Sequence, residues 1–244
     1  ALHPPEDLRL FFATGSSPLD PRAAGFDFFV YGTLPLFLVR AVAGLLGLAD
    51  YAHLNEVGRA LAALFDVGTV FFTWLLGRTL LGPRVGLAAA AMVACCVLSI
   101  QQAHFFTVDA FGACFTAAAF CAVVAIARGG GLAAHIVFGV ALGAAVACRI
   151  NLALVAACWP LAVGVARAEG RTPWRSILFG ALAAGGAAAI VVRLAYPYAF
   201  AGPGFFDLAP DPHFLTTLAR ARALVSGAVD YPPSVQWIGR VRVA

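Results

Sequence analysis

Six apolar runs, each close to the length that crosses a bilayer, follow one another between residues 58 and 199 with very short breaks between them. They cover roughly 58–80, 85–101, 109–127, 132–148, 150–167 and 176–199, and a helix needs about 20 apolar residues to span the hydrocarbon. The breaks are "GPR" at 82–84, "QQAHFFTV" at 101–108, "RGGG" at 128–131, "CRIN" at 148–151 and "RAEGRTPWR" at 167–175. In lipid the backbone must satisfy its own hydrogen bonds, so runs of this kind become helices. Breaks this short make consecutive helices antiparallel neighbours. Only 11% of the 244 residues are charged and 62% are hydrophobic, with a mean hydropathy of +0.90, against roughly 25% charged residues in a soluble domain. The expected fold is all-α, a polytopic membrane helix bundle of about six transmembrane helices.

Charge sets the expected orientation. All 16 basic residues are arginine, and the net charge is +4. Alternate breaks hold most of the arginine in the short loops: Arg78 and Arg84, then Arg128, then Arg167, Arg171 and Arg175, whereas the two intervening loops hold only Arg149. The positive-inside rule makes the arginine-rich set cytoplasmic. Residues 1–57 are then expected to be a first outer loop, 58–199 the transmembrane bundle, and 200–244 a truncated outer segment broken by "GPG", "APDP" and "YPP". Within the first loop, 31–48 is short and interrupted by Pro35 and Arg40. It is predicted to be an interfacial juxtamembrane helix, because crossing there would move every later loop to the other side. Permanently charged guanidinium groups suit phosphates and lipid headgroups, and so small an excess gives no support to nucleic-acid binding. The six cysteines all lie in apolar segments and read as small buried hydrophobes rather than a disulfide or zinc framework. The chain is expected to be a fragment, lacking sequence at both ends.

Ionisable side chains at bilayer depth are costly and normally face protein or a water-filled cavity. Four need an explanation here: Asp66, Asp109, Arg149 and Arg193. Asp66, in mid-span, suits pairing or hydrogen bonding between helices. Asp109 opens a helix at the outer lip, where a carboxylate satisfies free N–H groups and the helix dipole and can also face an outer cleft. His104 shares its short loop and reads either as an interfacial histidine or as a base or ligand beside Asp109. Arg149 ends two closely joined helices, where it either snorkels to headgroups or binds an anion. Arg193 lies within a turn or two of the outer surface, near Tyr196 and Tyr198, and cations at this depth beside an acid suit an anionic lipid head held during proton chemistry. Aromatic belting explains the tyrosines equally well. No nucleotide loop, dinucleotide fingerprint, HExxH or CxxC occurs, so soluble-cofactor chemistry finds no support.

The stretch "SPLDPRAAGFDFFVYGTLPLFLVR" resembles the first outer loop of bacterial phospholipid carrier-dependent glycosyltransferases, relatives of the protein O-mannosyltransferases that share the GT-C membrane fold. The resemblance continues through "GRALAALFDVGTVFFTWLLGRTLLGPRVG", "QQAHFFTVDAFGACF", "RLAYPYAFAGPGFF" and "DYPPSVQWIGR". It implies a polyprenyl-phosphate sugar as donor, membrane lipids as surroundings, an acceptor hydroxyl on the outer side and inversion at the sugar carbon. It also implies an acidic base in the first outer loop. Glu6 and Asp7 are the acidic pair present, although their distance from "SPLDP" places the family's pair upstream of Ala1. The fragment is therefore expected to be inactive alone. Asp109 matches the second acid of the family, with His104 beside it. Tyr31 and Pro35 fall in the stretch that lines the site in relatives. Arg149 and Arg193 become candidates for the carrier phosphate, and Tyr196, Tyr198, Asp230 and Gln236 further substrate contacts.

Transfer to a hydroxyl needs a base near the acceptor and positive charge on the departing phosphate. Arginines at the lip supply that charge without a metal. Some relatives use a divalent ion, but His104 and Asp109 alone are too few ligands to specify one. Two other readings use the same residues. A secondary transporter would line a path with Asp66, Asp109 and Arg193, and a membrane scaffold would leave the arginines facing headgroups.

Overall fold

The computed structural model describes residues 31–48, 50–201 and 205–226, and among these residues every regular element is a helix. Nine α-helices follow in order: α1 (Leu34–Leu46), α2 (Tyr51–Leu81), α3 (Pro83–Ala94), α4 (Val97–Ala103), α5 (Val108–Ala127), α6 (Leu132–Val146), α7 (Cys158–Ala168), α8 (Trp174–Ala195) and α9 (Pro212–Val225). Two 3-10 segments, Ile150–Ala157 and Pro197–Ala199, precede α7 and follow α8. The chain is a polytopic helical membrane bundle. Among the described residues four segments are long and apolar enough to cross a bilayer: His53–Leu81, Val108–Ala127, Ile150–Ala168 and Trp174–Ala195.

The other two apolar runs depart from the expected six equal spans. The run at 85–101 is broken into α3 and α4, which meet at 59°. Together they form at most one bent span, and the break at Cys95 and Cys96 contains no Gly or Pro to announce it. The run at 132–148 yields only the 15 residues of α6, about 22 Å at 1.5 Å per residue. It stops early because the turn after it pairs with the strap before α1. Gly32 and Leu34 donate N–H groups to the carbonyls of Cys148 (2.9 Å) and Ala147 (3.3 Å), and Tyr31 pairs antiparallel with Arg149. The span that follows begins in the tighter 3-10 winding. Its eight residues rise about 16 Å, and the 11 residues of α7 add about as much again. Pro160, in the first turn of α7, lacks an N–H and crowds the carbonyl of residue 156, so it ends α-winding on its N-terminal side.

Small residues set the close packing of the bundle. Helices α6 and α8 run parallel, with Gly139 against Ala184 and Gly143 against Ala188. Helices α2 and α5 are parallel too, from Gly58 against Phe106 to Arg128, which donates to the carbonyl of Thr79. In the middle of this pair Phe65 stacks on Phe111 at 4.5 Å. A buried histidine ties α6 to α7: Trp159 donates from Nε1 to Nδ1 of His135 at 2.9 Å.

These contacts sort the loops by end. At one end Arg128 reaches α2, Arg171 donates to the carbonyl of Ala127 (3.2 Å) and pairs with Glu169, and Arg167 lies over Trp174. At the other end α1 packs on the start of α2 through Val39, Ala43 and Val57. There too Leu34 joins Ala147, Ala195, Tyr196 and Phe214 in one cluster, which seats α9 against the end of α8. The arginine-rich breaks and the breaks that carry His104 and Arg149 therefore occupy opposite ends of the bundle.

Candidate functional site

Asp109 lies in the first turn of α5, the one acid there. Its carboxylate sits where free helix N–H groups favour negative charge. Its direct partner, however, comes from another loop: Arg149 donates from Nη1 to Oδ1 of Asp109, and the two side chains are equally half-exposed. The turn 147–149 that carries Arg149 is held by the extended pairing with the strap before α1. As a result the guanidinium also lies over the ring of Tyr31, 5.2 Å from its centroid. A carboxylate at its edge and an aromatic face on one side fix this cation in direction.

Two residues make the strap possible. A Cβ on Gly32 would sit 1.8 Å from the carbonyl oxygen of Ala147, so only glycine permits the approach. Thr33, 4% exposed, donates its hydroxyl to the carbonyl of Ala195 at 2.7 Å and ties the start of α1 to the end of α8. Neither residue attracts notice in the sequence, because each matters only once its distant partner is in place.

The Asp109–Arg149 pair stands at the mouth of a groove of about 460 Å³. The groove runs down α5 past Gly112, Ala113 and Thr116 to Phe120, between Thr73 and Leu76 of α2 and Asn151 and Leu152 of the 3-10 segment. From Asp109 to Phe120 it extends about 16 Å along the helix. Its walls are mainly apolar. Within it the Thr116 hydroxyl is buried and has no hydrogen-bond partner among the described residues. A narrow apolar groove with a fixed cation and a carboxylate at its membrane-surface end can hold an amphiphile whose head is anionic.

The remaining expected site residues are placed as follows. Arg193 is buried, donates from Nε to the carbonyl of Phe205 (3.2 Å) and lies over the ring of Phe200 at 5.0 Å. It thus holds the loop after α8 and does not line the Asp109 groove. Pro35 and Tyr196 are fully buried, and neither lines the Asp109 groove. Tyr196 packs edge-on against Phe214, its hydroxyl has no partner among the described residues, and burial pushes its phenol above the usual range. Tyr198 meets Phe37 of α1 edge-on. His104 lines a separate groove between α2 and α4, where its Nδ1–H donates to the carbonyl of Ile100 at 2.7 Å. The structure therefore does not join His104 to Asp109, despite their nearness in sequence. Asp66, which the sequence suggests as an interhelical pairing group, lines that second groove as well. Glu6, Asp7, Asp230 and Gln236 lie outside the described residues. Among the described residues no three His, Cys, Asp or Glu side chains gather as metal ligands.

A sequence model of the family described as dolichyl-phosphate-mannose-protein mannosyltransferase matches residues 35–197, two-thirds of the 244-residue chain. No curated protein and no solved structure matches the chain.

Proposed function

From the premise that this chain belongs to the dolichyl-phosphate-mannose-protein mannosyltransferase family, a family of GT-C membrane glycosyltransferases, we propose that it transfers a sugar from a polyprenyl-phosphate donor to an acceptor hydroxyl at the outer membrane face. The observation that carries this reading is the Arg149 guanidinium, fixed between Asp109 and Tyr31 at the mouth of an apolar groove. The polyprenyl tail occupies the groove along α5. The donor phosphate meets Arg149, whose remaining N–H groups donate to the leaving oxygen as negative charge develops on it. In the reaction a carboxylate of the first outer loop takes the acceptor hydroxyl proton. The acceptor oxygen then bonds to the anomeric carbon as the bond from that carbon to the phosphate oxygen breaks, and polyprenyl phosphate leaves with the electron pair. One displacement inverts the anomeric centre. Asp109 orients Arg149 and completes the acidic side of the pocket. Arg193 supports the outer rim by holding the loop after α8.

The test is sugar transfer in membranes expressing the complete gene, with a polyprenyl-phosphate sugar as donor. Arg149→Gln is expected to lower kcat/KM by about 10²–10³-fold, the usual loss for one transition-state donor. Asp109→Asn keeps the shape but frees the guanidinium, and is expected to lower activity by about tenfold or more. Wild-type turnover in both variants removes this pair from the site.

A further inference from the structure

A second groove, of about 530 Å³, opens between α2 and α4, and the transfer reaction set out above does not use it. Its walls are small and apolar, with Ala60 and Ala63 on α2 and Ile100 on α4. Onto them open Glu56, Arg59 and Asp66 from α2 and His104 from the end of α4. Positions 56, 59, 63 and 66 follow the three-and-four spacing of one helix face, so the three charged side chains of α2 form a single column. Going inward, Arg59 lies about 4 Å below Glu56 along the axis, and Asp66 about 10 Å below Arg59.

This column is uncovered among the described residues, with Glu56, Arg59, Ala60 and Ala63 exposed and Asp66 half-buried, on a helix long and apolar enough to cross a membrane. Among the described residues Glu56 and Arg59 have no ion-pair partner, and Asp50 and His53, a turn above, are engaged with each other. Charges along a membrane helix are costly unless complementary groups meet them. The ligands at hand there are lipids. His104 narrows the choice, because its Nδ1–H is engaged by the carbonyl of Ile100, so that the ring meets a ligand through Nε2, an acceptor whenever the ring is neutral. The groove thus offers two acceptors, Glu56 and Nε2 of His104, above a cationic donor, Arg59, with small residues beneath and a carboxyl deeper still. A diacyl aminophospholipid presents the complementary series from the water inward: an ammonium with N–H donors, a phosphate, and the glycerol with its ester carbonyls.

We propose that the α2–α4 groove binds one phospholipid with a primary-amine headgroup, its ammonium between Glu56 and His104, its phosphate on Arg59, and its glycerol esters over Ala60 and Ala63 toward Asp66. The selectivity is for N–H donation. A trimethylammonium head has the same charge but no proton to give, and an anionic glycerol head meets Glu56 as a like charge. The site is independent of the transfer reading, since its residues and those of the Asp109 groove are disjoint.

The experiment reconstitutes the full-length protein in nanodiscs of equal parts phosphatidylethanolamine, phosphatidylcholine and phosphatidylglycerol. Lipids that remain bound after transfer to detergent are then counted by native mass spectrometry. The expected result is one retained phosphatidylethanolamine per chain, with retention lowered about tenfold or more by Glu56→Gln or by Arg59→Gln, the scale of one charge-assisted hydrogen bond. The swapped pair Glu56→Arg with Arg59→Glu keeps the charges and helix propensity but reverses their order, and is expected to lose the lipid while the protein stays monodisperse. Asp66→Asn is expected to retain it better than Asp66→Leu. Equal retention of the three lipids, preference for phosphatidylglycerol, retention of no lipid, or unchanged retention in the swapped pair each overturns the proposal.

Discussion

Tyr31 shows how one residue gains a task that its own sequence neighbourhood does not disclose. Its ring covers the Arg149 guanidinium, and its backbone enters the pairing that shapes the turn carrying that arginine. A cation–π contact at a partly exposed site is worth about 0.5–2 kcal/mol. Tyr31→Phe keeps the ring and is expected to bind the donor almost as the wild type does. Tyr31→Leu removes the face and is expected to raise the donor KM several-fold with a smaller change in kcat. Donor-titration kinetics of the two variants check this, and equal KM values would show that the ring does not position Arg149. Gly32→Ala is the harsher change, because its methyl meets a backbone carbonyl that cannot move without displacing the strap. His104 marks the opposite case. Five residues from Asp109 in sequence, it faces another groove because α4 ends at Ala103 and α5 starts afresh at Val108.

At the scale of helices, close approach decides the packing of α6 on α8. In a membrane, helices associate through tight van der Waals contact, which small residues permit. A Cβ on Gly139 would lie 2.2 Å from the carbonyl oxygen of Ala184. Gly139→Val therefore has to push α6 and α8 apart, at a cost of about 1–3 kcal/mol for an overpacked contact, read as a thermal unfolding midpoint several degrees lower in detergent. Gly185 on α8 supplies the control, since nothing lies within 4 Å of its added Cβ. Gly185→Ala is expected to leave that midpoint unchanged or raise it, as Ala is the better helix former. The His135–Trp159 hydrogen bond adds a directional tie between α6 and α7. His135 is 4% exposed and visible in the sequence as a polar residue in an apolar run, but nothing near it in the chain pointed to Trp159 as its partner.

For the whole molecule the decisive property is which end of the bundle faces outward, because the short loops of one end carry most of the short-loop arginines. If the Asp109 end faces outward, a cysteine placed at Leu208, in the exposed loop after α8, is expected to react with a membrane-impermeant maleimide in intact cells. A cysteine at Arg171, among the arginines of the opposite end, is expected to react only after permeabilisation. Both are read in a background without the native cysteines, and the reverse pattern would exclude outer-face transfer. Much of this architecture was legible beforehand. The helical bundle, the positions of four of the spans, the breaks between them and the gathering of arginines in alternate short loops follow from hydropathy and chain direction, which depend on nearest neighbours in sequence. Other features were not: the break between α3 and α4, the early end of α6, the pairing of Asp109 with Arg149 and the separation of His104 from Asp109. Each depends on groups far apart in the chain, from the Gly32 strap against Cys148 to the guanidinium 40 residues from its carboxylate. Local composition determined that this chain crosses a membrane and where its charges lie along it. Which of those charges meet was decided only by tertiary packing, because contact between side chains is a property of distance in space, and sequence spacing constrains that distance only within a helical turn or two.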